Sequence, residues 1–181
     1  MNLVPKAIFL TRGVGYHKDR LTSFEEALRK AEIARFNLVN VSSIFPPHCR
    51  VISKEKGLEK LQSGQIVFTV MARIDCNEFR RLLSASIGLA IPQDRSQHGY
   101  LSEYHTHGKK EQETGDYAED LAASMLATTM GVDIDMDKSW NERKELWKLG
   151  GKFYRTQNVT QAAVCPNGLW ATALAAAVLI L

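Results

Sequence analysis

The sequence predicts an α+β fold: mostly antiparallel sheets with helices packed outside them. Segments with strand patterning outnumber segments with helical periodicity. Strand and helix do not alternate regularly, as a doubly wound parallel sheet would require. The chain of 181 residues is 45% hydrophobic and 24% charged, which suits one domain with a real core rather than a disordered or fibrous chain.

The elements follow in order. Ala7 to Thr11 reads as a short buried strand running into a glycine loop, Arg12-Gly13-Val14-Gly15. Thr22 or Ser23 caps a helix, each with a Glu three positions later (Glu25, Glu26), the capping-box spacing. Phe24, Ala27, Leu28 and Ala31 form its buried face. Phe36 to Val41 alternates like a strand with Phe36 and Leu38 on one face, and Pro46-Pro47 ends the regular structure beyond it. Lys54 to Gln62 is a short helix or turn, and Gln65 to Ile74 a strand rich in β-branched and aromatic residues.

Arg80 to Ile91 supports either periodicity. The strand reading is preferred, because Leu83, Ala85, Ile87, Leu89 and Ile91 alternate and residues 92–99 look like a hairpin loop before a returning strand, Tyr100 to His107. Glu111 to Met130 is the clearest helix, closed by Gly131. Ser139 with Glu142 caps a further helix reaching Leu149. Lys152 to Val164 and the apolar run Gly168 to Leu181 are the last strands. The latter is too short to span a bilayer, which takes about 20 residues, and reads as a buried central strand.

Composition narrows the function. A net charge of +3, with 23 Lys and Arg spread over the chain, gives no concentrated basic face for nucleic acid. Three cysteines (Cys49, Cys76 and Cys165) lack Cys-x-x-Cys spacing, and residues 1–6 lack the apolar core of a signal peptide. Both point to a reducing, cytoplasmic setting with no membrane association.

The Ser42-Ser43 pair lies at the end of a predicted strand, three residues before two prolines. The segment Phe36-Asn37-Leu38-Val39-Asn40-Val41-Ser42-Ser43-Ile44-Phe45-Pro46-Pro47 resembles the processing site of the pyruvoyl-dependent arginine decarboxylases. Ser84 to Pro92 followed by Glu103-Tyr104 is similar to that family's central hairpin. The helix around Phe24 to Leu28 and the alanine-rich last strand match in place. The resemblance runs from about Gly13 to Leu181 and is least familiar from Val132 to Gly150.

The resemblance implies an αββα sandwich, a homotrimer or dimer of trimers, and an amino-acid substrate, arginine, converted to agmatine and CO2. It implies autocatalytic cleavage between Ser42 and Ser43 into residues 1–42 and 43–181. The Ser43 hydroxyl attacks the Ser42 carbonyl, the resulting ester breaks by β-elimination, and the residue left at 43 becomes a covalently bound pyruvoyl cofactor. Asn37 takes the role of a donor to the oxyanion on the Ser42 carbonyl. Decarboxylation leaves electrons on the α-carbon, and a ketone condensed with the substrate amine can accept them. Glu103 is the implied proton donor, its carboxyl kept protonated by burial.

An arginine site also needs an acid for the guanidinium. The matching helix position is Glu25, where the family more often carries Asp, so another basic amino acid is an open alternative. Leu28 and Ile44 are expected to line the substrate pocket. His105 and His107 share the Glu103 face and, with His98, could hold zinc. They are read instead as polar residues near the pocket mouth, with no metal. A processing-dead relative acting as a binding module is the remaining alternative; the joint presence of Asn37, Ser43 and Glu103 argues against it.

Overall fold

The computed structural model describes residues 3–131 and 154–181. The alanine-rich run near the end of the sequence, β9 (Trp170–Ile180), is the spine of a five-stranded sheet. It is flanked by β1 (Ala7–His17) and β5 (Ile66–Cys76), both antiparallel to it. Two short strands complete the edges in parallel pairing: β2 (Asn37–Asn40) beside β5, and β4 (Arg50–Val51) beside β1. A second sheet runs β3 (Ile44–Phe45), β7 (Gly99–His107), β6 (Leu82–Pro92), β8 (Tyr154–Val164), antiparallel throughout.

The sheets face each other across the main core. Leu83, Ala85, Ile87 and Leu89 from β6 meet Ala171, Ala173, Ala175 and Ala177 from β9. Small alanines on one side and branched residues on the other let the layers interdigitate. Helices cover the outer faces. α1 (Arg20–Lys30) and α2 (Lys54–Leu58) pack on the five-stranded sheet, where Ala27, Leu28 and Phe36 join Phe9, Met71 and Leu174. α3 (Glu111–Thr129) packs on the other, burying Ala122 and Leu126 against Ala90. The architecture is the expected αββα sandwich.

Two local expectations are corrected. Arg12 to Gly15 is not a loop; β1 runs unbroken to His17. Its glycines serve close approach, since a Cβ on Gly13 would lie 2.1 Å from the Ala27 carbonyl oxygen and one on Gly15 2.1 Å from that of Ser23. The helix cap is Asp19, whose Oδ1 accepts from the Thr22 amide at 2.8 Å, rather than Thr22 or Ser23. The Ser23 hydroxyl is instead buried against Thr172 Oγ1 at 2.7 Å. The strand reading of β6 and its hairpin with β7 hold, as does the closure of α3 by Gly131 in the left-handed region (φ 72). The helix expected from Ser139 to Leu149 lies outside the described residues.

The glycine contacts yield a test. Alanine in a strand normally gains about 0.5–1 kcal/mol over glycine. Gly13→Ala should instead lower stability by about 1–3 kcal/mol, because backbone of α1 must move. A urea midpoint equal to or above wild type would show that α1 is not held this closely.

Candidate active site

The site begins where the chain changes sheets. At the end of β2 the Val41 amide still donates to Thr69 carbonyl at 2.9 Å, and Thr69 Oγ1 donates to Asn40 Oδ1 at 3.0 Å. Three residues later the chain is in the other sheet, with Ile44 paired to Tyr100. Ser42 and Ser43 make the crossing. The Ser42 carbonyl accepts from the Ile44 amide at 3.1 Å, a three-residue turn centred on Ser43. The Ser43 carbonyl accepts from the Leu101 amide at 2.8 Å. Ser42 is exposed and Ser43 half-buried. The bond between them is thus outside both ladders, while the residue on its C-terminal side is fixed to β7.

β7 brings the acid. Leu101, Glu103, His105 and His107 share one face, and their partners Leu89, Ile87, Ala85 and Leu83 all belong to the core between the sheets. The opposite face meets α3: Ser102 Oγ donates to the Ala118 carbonyl at 2.5 Å, and the Tyr104 and Tyr117 rings lie 4.5 Å apart. Glu103 is two residues beyond the amide that holds Ser43, about 7 Å along the strand at ~3.3 Å per residue. β3 pairs only with Gly99 and Tyr100, so β7 has no β3 partner alongside Glu103. The Glu103 side chain reaches solvent, yet desolvation by the neighbouring protein pushes its carboxyl above the ordinary range. His105 opposes that shift.

An apolar groove of about 440 Å³ adjoins Ser42, walled by Val41, Ile44, Pro46 and Phe68 and by the segment Leu3 to Pro5. Cys49, a short way along the chain, offers no competing nucleophile: burial pushes its thiol up to about 11.

One chain therefore brings together Ser42, Ser43, Ile44 and Glu103. It does not bring the other sequence-predicted residues to them. Asn37 stands at the start of β2, five residues before Ser42, roughly 16 Å away at strand rise. Its Nδ2 donates to the Gly64 carbonyl at 2.7 Å. Glu25 pairs with Arg29 at 3.1 Å on the exposed side of α1. Leu28 is buried beneath α1 in the cluster on the far side of the five-stranded sheet. His98 packs on Tyr100, with ring centroids 5.3 Å apart. Among the described residues no three His, Cys, Asp or Glu side chains form a metal-binding group.

From sequence the Leu101 amide had no role, and His105 read as a polar residue near the pocket mouth rather than as a group that opposes the shift at Glu103. The hairpin register could have identified the first. Nothing local signals that Leu3 to Pro5 wall the groove.

Residues 7–181 match the model of a family described as pyruvoyl-dependent arginine decarboxylase. The chain is 54% identical to a probable pyruvoyl-dependent arginine decarboxylase of Chlorobium limicola, covering 99% of each chain. It is 51% identical to a pyruvoyl-dependent arginine decarboxylase of Nitrosopumilus maritimus, again with 99% of each covered. With pyruvoyl-dependent arginine decarboxylase 2 of Methanosarcina acetivorans it shares 48% identity over 98% of each.

The environment of Glu103 can be read directly. By carbon-13 NMR its carboxyl should titrate above the ordinary glutamate value of about 4.3. His105→Ala should move it higher still, since His105 opposes the upward shift. Because the folded-state value is raised, ionising Glu103 costs stability as pH rises through it. Titration at or below the ordinary value would contradict this account.

Proposed function

The chain belongs to the pyruvoyl-dependent arginine decarboxylase family, and on that premise we propose that Ser43 is the residue converted to the cofactor and Glu103 the proton donor. The protein is a carboxy-lyase that converts arginine to agmatine and CO2 with a covalently bound pyruvoyl group. The observation that carries the residue assignment is the crossing itself. The Ser42–Ser43 bond is free of both ladders, whereas Ser43 is tied to β7 through Leu101, two residues from Glu103.

In this reading the Ser43 hydroxyl attacks the Ser42 carbonyl carbon, and the amide bond gives way to an ester. The carbonyl oxygen, which gains negative charge, already accepts from the Ile44 amide. Elimination across Cα and Cβ of residue 43 then releases Ser42 as a carboxylate and leaves dehydroalanine, which takes up water and loses ammonia to give the pyruvoyl group. Residue 43 fits the resulting group: its carbonyl stays hydrogen-bonded to Leu101, and its neighbours Ser42 and Ile44 line an apolar groove. A pyruvoyl group supplies the ketone that accepts the electrons freed by loss of CO2. Glu103, its carboxyl pushed up by desolvation, holds a proton to deliver to the α-carbon.

The fragments 1–42 and 43–181 remain one domain. β1 lies between β9 and β4 and is paired with β9 along its whole length, Ala7 to His17. Glu25 and Asn37 join the centre from an adjoining copy in a homo-oligomer, by resemblance a trimer, whereas Leu28, buried beneath α1, packs the core. Exposed apolar side chains near the crossing support this: Val39 and Ile44 are each 41% exposed and Ile66 63%. Glu25 then receives the substrate guanidinium. No helix among the described residues is long and apolar enough to cross a membrane. The three cysteines are free and buried, which supports a cytoplasmic setting.

Intact mass under denaturing conditions tests cleavage. Wild type should give two fragments and Ser43→Ala one uncut, inactive chain; CO2 release by Ser43→Ala would end the assignment. Glu103→Gln should still cleave but lose about 10²–10⁴-fold in kcat. Full turnover by that variant would remove Glu103 from its role.

A further inference from the structure

A second cleft, of about 500 Å³, lies at strands β4 and β8, the sheet edges opposite β2 and β3. Three arginines line it: Arg50 from β4, Arg95 from the β6–β7 loop and Arg155 from β8. Among the described residues no carboxylate does. Among the described residues none of the three makes an ion pair. The nearest acid in sequence, Asp94, is engaged elsewhere, accepting from the Ser96 amide at 2.9 Å, Ser96 Oγ at 2.6 Å and Gln97 Nε2 at 3.2 Å.

We propose that this cleft binds a small phosphate monoester. Three permanently charged guanidinium groups repel one another unless an anion sits among them. Their planar donor forks match the oxygens of a phosphate. Arg95 is held in place, since its guanidinium donates to the Cys49 carbonyl and stacks 5.7 Å from the Phe45 ring. Arg155 is steadied by Gln157 Oε1 at 3.5 Å. The same Gln157, next to the cleft through Arg155, buries its Nε2 without an acceptor among the described residues. Val51, Ile91 and Pro92 add apolar wall suited to the organic part of an ester. Arginine and agmatine, both carrying guanidinium cations, are repelled by this cleft, which sets it apart from the decarboxylation site. The inference does not depend on the cleavage at Ser42.

Calorimetric titration of the full-length, processed enzyme with inorganic phosphate and with phenyl phosphate tests the site. Both should saturate at one per chain, phenyl phosphate more tightly. Arg50→Gln combined with Arg155→Gln should weaken both at least about tenfold, with unchanged arginine turnover and thermal midpoint. Absence of saturable binding up to ~10 mM, or equal binding by the double variant, would overturn the proposal. Tighter binding of inorganic phosphate than of the ester would overturn the ester assignment. A vesicle of phosphatidic acid that bound where phenyl phosphate did not would overturn the soluble ligand.

Discussion

A polypeptide can leave one sheet for another only by giving up ladder hydrogen bonds, and it must do so without stranding buried amides. Here the transfer takes two residues. The Val41 amide is the last bonded to the first sheet, and the Leu101 amide takes the Ser43 carbonyl in the second. Everything distinctive about the chain follows from that economy. The two serines are held from both ends, yet the bond between them belongs to neither ladder. Backbone outside regular structure can be attacked; backbone inside it cannot change geometry without dismantling its neighbours.

The rest of the sandwich fixes the two ends of this crossing. Core packing of β6 against β9 fixes the separation of the sheets. β7, placed by β6 and by α3, presents Glu103 on the inner face beside an edge that β3 leaves uncovered. The acid is therefore partly desolvated by its own fold and still open to whatever enters from outside. That combination explains why its proton affinity rises although its side chain meets solvent.

Most of this was legible in the sequence, for reasons that differ by element. The strict alternation of Leu83, Ala85, Ile87, Leu89 and Ile91 fixed a strand against a competing helical pattern, because one residue in two faces the main core and the intervening positions face α3. Glu103 was legible only through the family resemblance, because the pairing of β3 with β7 that sets Ser43 beside Leu101 is a long-range contact. Gly13 and Gly15 misled, since glycine pairs signal a turn unless a helix lies against them, and helix proximity is a tertiary fact. Asp19 was overlooked because Thr22 and Ser23 fitted the cap pattern equally well. Glu25 and Asn37 carry family-like positions, but a position in one chain does not reveal whose cavity a side chain serves.

Strand order also sets how the larger sheet closes. β9 follows the other described elements in the sequence, and it sits in the middle of the larger sheet, between β1 and β5. Until it is in place, β1 and β5 have no common neighbour, and the sheet that holds Val41 through Thr69 lacks its centre. Closing that sheet therefore joins three distant stretches of sequence, 7–17, 66–76 and 170–180, in one step.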